Sequence, residues 1–276
     1  MIEKKNPAST VITYILLAAL TVVTLLPLVW MVSASLKPDI DVFSVPIQWV
    51  PKNPMWSNYT TIWSKIPFAL FTWNSMKLSV LITLIQVTVS SFAAYGFTKC
   101  NFKGRDILFF AYIATIAIPW QVYMLPQYTE LRIMNLGDSH TGYILIQSFL
   151  AFGVYLMRQF YQNIPNELME AARIDGLNEY GIYFKIVLPL SKPVIATLSI
   201  YWFVRIWNDF MGPMIYFDSE SNKTIPLGIR MFIGQYSTEY GLLMASSVVS
   251  LIPVIIVFLA FQRFFVQGIA TSGMKN

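Results

Sequence analysis

Six long apolar blocks constrain the fold of this chain more than any other feature of its sequence. A membrane-spanning helix needs about 20 consecutive apolar residues, and each block reaches or approaches that length. The blocks lie near residues 11–35, 73–98, 107–126, 141–161, 193–216 and 242–264. Only 12% of the residues are charged, about half of the roughly 25% that soluble domains contain. We therefore predict an all-α, polytopic membrane protein with six transmembrane helices.

Basic residues indicate the orientation of these spans, because short loops rich in Lys and Arg stay on the cytoplasmic side. They occur near both chain ends and in two alternate loops, as Lys4, Lys5, Lys99, Lys103, Arg105, Arg173, Lys185, Lys192, Arg263 and Lys275. This pattern predicts a cytoplasmic N-terminal segment, residues 1–10, a membrane domain over 11–276, and both termini in the cytoplasm. The net charge of +5 then reflects membrane topology and predicts no nucleic-acid partner. For the first block a cleaved secretory signal is the alternative, although a signal core has only about 7–15 apolar residues.

The reactive side chains exclude several kinds of chemistry. Cys100 is the single cysteine and His140 the single histidine, so an intrachain disulfide and a Cys/His metal cluster are excluded. The sequence contains no G-x-x-x-x-G-K-[ST] phosphate loop. We therefore expect no metal site, no cofactor and no enzymatic activity in this chain.

Prolines in the third block and charged residues in the fifth block predict either a translocation path or purely structural features. Pro119 and Pro126 interrupt the third block, and such breaks persist at membrane depth only where protein or water satisfies the freed backbone groups. In the fifth block Arg205 and Asp209 are four residues apart, so on a helix they can form a structural ion pair. Charged residues inside a span also favour a water-filled path. The candidate path residues are Trp120, Gln121, Tyr123, Asn208 and Asp209.

The segment 162–192 is charged and helix-forming, although it lies between two apolar blocks. Asn163 is a candidate N-cap of a first helix, and Gly176 fits the left-handed residue that follows a helix end. Asn178 can start a second short helix that ends before Pro189. We predict two short helices that meet at a bend, either inserted into a groove of a soluble protein or lying on the lipid surface.

Within this segment Glu170-Ala171-Ala172 is followed by Asp175-Gly176 and later by Leu188-Pro189. These residues resemble the EAA loop of ABC importer permeases, which has the spacing E-A-A-x-x-x-D-G with a later L-P. Leu177 departs from the pattern, since the family often has a small residue there. Further similar segments are Arg158–Phe160, Trp207–Phe210 and, for the maltose-type carbohydrate-uptake branch, Gln267–Lys275.

The resemblance implies a type I ABC importer permease, a non-catalytic subunit in the bacterial cytoplasmic membrane. It further implies a second, paralogous permease, two ATPase subunits that bind ATP and Mg²⁺, and an extracellular or periplasmic sugar-binding protein. The segment 162–192, called the coupling loop below, would transmit ATPase closure to the spans. The coupling residues implied are Glu170, Ala171, Ala172, Asp175, Gly176, Leu188 and Pro189.

The cargo implied by the resemblance is a sugar, more specifically an oligosaccharide. Related branches carry polyols, glycerol phosphate or other solutes, so these cargoes stay open as alternatives. An ion-coupled secondary transporter usually needs intramembrane carboxylates, and Asp209 is the one clearly placed carboxylate in the blocks. A membrane-embedded enzyme fits less well, because the blocks contain no cluster of catalytic residue types.

Overall fold

The computed structural model describes residues 7–272, and the side chains of residues 10–263. Nearly all of its regular structure is helical, and an isolated antiparallel bridge joins Ile233 to Thr238. The predicted all-α class is therefore confirmed. The predicted N-terminal segment, residues 1–10, lies largely outside the described residues, and so do the side chains of the C-terminal segment Gln267–Lys275.

The helices follow one another along the chain with short connections. In chain order they are α1 (Pro7–Ser35), α2 (Asp39–Val42), α3 (Ser57–Lys65), α4 (Phe68–Lys99), α5 (Arg105–Ala114), α6 (Trp120–Ile133), α7 (His140–Gln147), α8 (Ala151–Gln162), α9 (Asn166–Ile174), α10 (Glu179–Ile182), α11 (Leu188–Leu190), α12 (Lys192–Trp207), α13 (Met211–Tyr216), α14 (Ile225–Arg230) and α15 (Tyr240–Ser272). A π-helical segment, Tyr183–Val187, joins α10 to α11.

Three of these helices are long and apolar enough to cross a membrane alone: α1, α4 and α15. Three bent pairs reach the required length only together. The pairs are α5 with α6, α7 with α8, and the α10–α11 arm with α12, with bends of 99°, 41° and 75°. The described chain thus has three candidate spans made of a single helix, or up to six spans if each pair counts as one. Each apolar block of the sequence overlaps one of these helices or pairs.

The break at Pro119 has a local cause. Ile118, the preceding residue, is extended, with ψ of 112°, because the proline ring disfavours a helical conformation in the residue before it. Pro119 then caps α6, so the predicted interruption of the third block is confirmed. Pro126 lies inside α6 without ending it.

The packing divides the chain into two compact units. One contains the chain up to Phe68 together with Gly228–Leu251, and the other contains Ala69–Leu227 and the chain from Ile252 onward. The first unit has a core around Ile62 and Phe232. The second has two cores, which consist mainly of residues from the bent pairs and α4. The coupling loop and all candidate path residues belong to this second unit.

Candidate functional site

Helix α9 and the turn after it form the centre of the coupling loop. Gly176 has φ of +82°, a left-handed conformation that costs glycine little and other residues more. The Leu177 amide donates to the Ala172 carbonyl at 2.9 Å, and the Gly176 amide donates to the Arg173 carbonyl at 3.0 Å. These two bonds make a Schellman C-cap. The predicted helix end at Gly176 is therefore confirmed.

The second arm of the coupling loop begins as predicted. Asn178 caps α10, because its side-chain oxygen accepts from the Gly181 amide at 2.8 Å. The predicted end before Pro189 is wrong, since helical structure continues through the π-helical segment into α11. Pro189 lies in the first turn of α11, two residues after the π-helical segment ends.

The predicted N-cap at Asn163 is also wrong. Asn163 is the C-cap of α8, and its side-chain amide donates to the Gln159 carbonyl at 2.9 Å. Pro165 precedes the first residue of α9 and provides no side-chain cap. A proline there fixes the extended entry that a capping side chain would otherwise favour.

Two faces of α9 have opposite surroundings. Met169 and Ala172 are buried in the core of the second unit, so Ala172 is the member of the predicted EAA triplet that cannot contact a partner. Glu170 and Ala171 are exposed on the other side. Of the other predicted coupling residues, Asp175, Gly176 and Pro189 are exposed and Leu188 is half-buried.

Several large apolar side chains of the coupling loop are exposed. Ile174 is 87% exposed and Tyr180 is 72% exposed. Leu168 and Phe184 are exposed as well. Such a concentration of exposed apolar surface on one short segment is typical of a contact site for a protein partner or for the membrane surface. The coupling loop thus has one side buried in the second unit and exposed apolar side chains elsewhere.

The C-terminal half of α4 holds the coupling loop through side chains that the sequence analysis did not select. The Lys99 ammonium donates to the Ile164 carbonyl at 2.7 Å and to the Asn166 side chain at 2.8 Å. The Ser91 hydroxyl lies 2.6 Å from the Tyr161 hydroxyl and 2.7 Å from that of Tyr183. These contacts join residues far apart in sequence, so no local pattern could predict them.

The predicted ion pair between Arg205 and Asp209 is absent from the described part of the chain. α12 ends at Trp207, so the two residues do not share a helix face. Asp209 instead accepts a hydrogen bond from the Tyr143 hydroxyl, while Arg205 donates to the Gln147 side chain at 3.2 Å. The helix end therefore gives each charge a different polar partner.

Two tyrosines bring some of the candidate path residues together. The ring centroid of Tyr216 lies 6.3 Å from that of Trp120 and 6.2 Å from that of Tyr143, which also contacts Asp209. The Tyr216 hydroxyl in turn donates to the Gln127 side chain at 3.1 Å. The remaining candidates are exposed or half-buried: Gln121, Tyr123 and Asn208.

Asp138, between α6 and α7, holds the loop between α13 and α14 through its carboxylate. Asp138 accepts from the amide of Asp218 at 3.0 Å and from the amide of Ser219 at 3.2 Å. The Asn222 side chain donates to the same carboxylate at 3.1 Å. Partial burial raises the pKa of Asp138, but these hydrogen bonds and that of the Ser219 hydroxyl outweigh it, so the pKa is lowered overall.

Residues 86–271 match the family model described as the binding-protein-dependent transport system inner membrane component. That match covers more than half of the chain. The chain belongs to this family. It is 31% identical, over 100% of both chains, to the arabinooligosaccharides transport system permease protein AraQ of Halalkalibacterium halodurans. It is 34% identical to the sn-glycerol-3-phosphate transport system permease protein UgpE of Yersinia enterocolitica, over 99% of each chain.

The fold has a close counterpart among solved structures. The chain superposes on a subunit of a bacterial ABC transporter involved in the import of alginate, an acidic polysaccharide, with a TM-score of 0.81. The alignment covers 96% of this chain and 99% of that one at 23% identity. This likeness confirms the predicted ABC importer permease fold.

Family membership confirms further predictions from the sequence. The permease is an inner-membrane component of a transport system that depends on a binding protein. Its curated relatives named above are transport permeases, so the prediction of a transport subunit rather than an enzyme is confirmed. Within the described residues no group of acidic, cysteine or histidine side chains is arranged to hold a metal ion.

Proposed function

We propose that this permease carries oligosaccharides into the cell in an importer driven by ATP. The observation that supports this cargo is the similarity to AraQ over the whole of both chains. The similarity to UgpE supports glycerol phosphate as the second candidate cargo. Both candidates carry free hydroxyl groups, which suit a path with amide and carboxylate side chains.

The proposed assembly contains a second, paralogous permease, two ATPase subunits that bind ATP and Mg²⁺, and a sugar-binding protein outside the membrane. Both termini and the coupling loop face the cytoplasm in this arrangement, as the basic residues favour. The exposed apolar surface around Ile174 and Tyr180 supports binding of the coupling loop to a soluble protein. Glu170, Ala171, Asp175 and Gly176 would contact the ATPase directly, while Ala172 holds α9 from inside.

The mechanism we propose is alternating access. ATP binds the closed ATPase pair more tightly than the open pair, so it shifts the equilibrium of the whole transporter. The moving ATPase carries α9 with it, and the spans change from inward-open to outward-open. Because coupling is reciprocal, the loaded binding protein favours the ATP-closed state in turn. Gln121 and Asn208 would then meet the cargo, and Trp120, Tyr123 and Asp209 would shape the path around them.

The coupling surface is tested by introducing a charge into the turn after α9. In Gly176→Asp a residue with a Cβ must adopt φ of +82° and places a carboxylate on the proposed docking surface. The matched control is Gly104→Asp, because Gly104 has φ of +81° and equally open surroundings. With a tagged permease extracted in mild detergent, we expect Gly176→Asp to lose the ATPase and Gly104→Asp to retain it. Retention of the ATPase and normal transport by both variants would contradict the proposed function.

The cargo is tested with the complete importer, including its own binding protein, in cells without other uptake routes. We expect uptake of labelled arabinooligosaccharides that requires ATP and persists when ion gradients are collapsed. Uptake of labelled glycerol 3-phosphate alone would instead establish the second candidate. Loss of uptake with the ion gradient would favour a secondary transporter.

A further inference from the structure

Glu179 joins three helices through one carboxylate. It is the first residue of α10, and its Oε1 accepts from Arg173 Nε at 2.8 Å. Its Oε2 accepts from the Tyr95 hydroxyl at 2.6 Å. Arg173 lies in the last turn of α9, and Tyr95 lies in α4. Each carboxylate oxygen therefore connects α10 to a different helix.

The ion pair closes the bend of the coupling loop. Arg173 and Glu179 lie on opposite sides of Gly176 in the sequence, so the pair bridges α9 and α10 across the bend. Both side chains are partly exposed, at 42% and 47%, and exposed ion pairs contribute little to stability. The hydrogen bond to Glu179 raises the pKa of the Arg173 guanidinium above its usual value. The ion pair is thus better suited to orienting α9 relative to α10 than to stabilising the folded protein.

The contact with Tyr95 is better shielded than the ion pair. Tyr95 is 6% exposed, and its ring packs edge-on against Tyr183 with centroids 5.4 Å apart. A hydrogen bond to an ionised carboxylate is stronger than one between neutral groups. The position of the Tyr95 hydroxyl is therefore fixed by packing, and it gives the Glu179 carboxylate a defined location relative to α4.

Helix α9 is attached to α4 at both of its ends. Lys99 holds its start through the Ile164 carbonyl and the Asn166 side chain. Tyr95 reaches its end indirectly, through Glu179 of α10 and the ion pair of Glu179 with Arg173. Tyr95 and Lys99 are four residues apart, so they lie on one face of α4. Two attachments to one helix face prevent α9 from pivoting about either attachment.

We propose that Glu179, together with Arg173 and Tyr95, makes α9 and α4 move as one body when the ATPase displaces the coupling loop. This inference rests on the proposed function. Glu179 acts through α9 and is a positioning residue. Without it, α9 would keep its buried contacts at Met169 and Ala172 and its attachment at Lys99. The link from α10 to α4 would be lost, and part of the ATPase movement would be absorbed in the loop instead of moving the α4 span.

The test compares transport per ATP hydrolysed in the complete importer with the amount of ATPase bound to the permease. In Glu179→Ala and Tyr95→Phe we expect normal ATPase binding but a ratio of transport to hydrolysis that is about fivefold lower or more, the scale of a typical coupling between sites. Glu179→Gln should be intermediate, because it keeps a hydrogen-bond acceptor for Tyr95. The controls are Glu130→Ala, at an exposed glutamate on α6, and Tyr112→Phe, at a tyrosine with a weak contact of 3.4 Å.

The double variant Tyr95→Phe/Glu179→Ala separates a shared role from two independent ones. We expect it to match Glu179→Ala alone, since residues in one network are not additive. A normal ratio in Glu179→Ala, with ATPase loss in Gly176→Asp, would overturn this inference and leave the proposed function standing. Loss of ATPase binding in Glu179→Ala would overturn it as well, because the residue would then act in docking. If Gly176→Asp also behaves normally, the proposed function itself fails.

Discussion

At its N-terminal end α4 contacts a loop through main-chain groups of that loop, whereas near its C-terminal end most of its partners in and beside the coupling loop are side chains. The Asn74 amide donates to the Ser221 carbonyl at 2.8 Å and to the Lys223 carbonyl at 2.9 Å. The Ser75 hydroxyl accepts from the Ile225 amide at 2.9 Å. At this end, both partners of Asn74 and the partner of Ser75 are main-chain groups.

The C-terminal end of α4 depends on the identity of its partners. Ser91 contacts the hydroxyls of Tyr161 and Tyr183, and Tyr95 contacts the Glu179 carboxylate. A carbonyl or amide is available from almost any residue, but a phenol or a carboxylate is not. The contacts at the N-terminal end of α4 therefore depend on the path of the partner backbone. The contacts at the C-terminal end depend as well on which side chains the partner residues have. We attribute the difference to the coupling role proposed for the second end.

The largest effect is expected at the C-terminal end of α4, in Ser91→Ala. This change removes the hydroxyl that Tyr161 and Tyr183 share, and each buried polar group that loses a partner costs about 1–3 kcal/mol. We expect the assembled transporter to lose about 2–4 kcal/mol of stability on that basis, seen as a lower unfolding temperature in detergent. Thr88→Ala, at an exposed position of the same helix, is the control. An unchanged unfolding temperature in Ser91→Ala would show that the tyrosines find other partners.

A smaller effect is expected at the N-terminal end of α4, in Asn74→Leu. The side chain is 3% exposed, and its loss leaves the carbonyls of Ser221 and Lys223 without these donors. We expect a cost of about 1–3 kcal/mol and faster amide hydrogen exchange in the loop between α13 and α14, while transport per ATP stays normal. A change in that ratio would contradict the distinction between the two ends of α4.

A still smaller effect is expected for Asp138→Asn, which weakens the charge-assisted bonds to the same loop. We expect a loss of about 1 kcal/mol at neutral pH. Because folding lowers the pKa of Asp138, its carboxylate contributes stability above the unfolded pKa of about 3.9, and that contribution disappears as the pH falls through the folded value. The difference in unfolding temperature between variant and wild type should therefore shrink in acid. A difference that grows in acid would contradict this account.

The smallest effect is expected for Ser221→Ala. Its carbonyl accepts from Asn74, its side chain is exposed, and an exposed substitution of this kind changes stability by less than about 0.5 kcal/mol. We expect normal unfolding temperature and normal uptake. A loss comparable to that of Asn74→Leu would mean that side-chain identity matters at both ends of α4.

Predictions from the sequence were accurate where a short stretch of chain carries the physical cause. The left-handed Gly176 and the cap at Asn178 were predicted correctly, because both depend on neighbouring backbone groups. The cap at Asn163 and the pair of Arg205 with Asp209 were wrong, because each assumed where a helix begins or ends. Packing decided those ends, as the contact of Asp209 with Tyr143 illustrates.

The sequence by itself determined the membrane class, the number of apolar blocks and the family, since lipid imposes length and apolarity on every span and the EAA spacing lies within one loop. Only the tertiary structure decided which residues hold the coupling loop. Tyr95 and Glu179 are 84 residues apart, and Ser91 and Tyr183 are 92 apart. Such partners meet because the helices pack against one another. A hydrogen bond between distant residues produces no periodic or local pattern in the sequence from which it could be predicted.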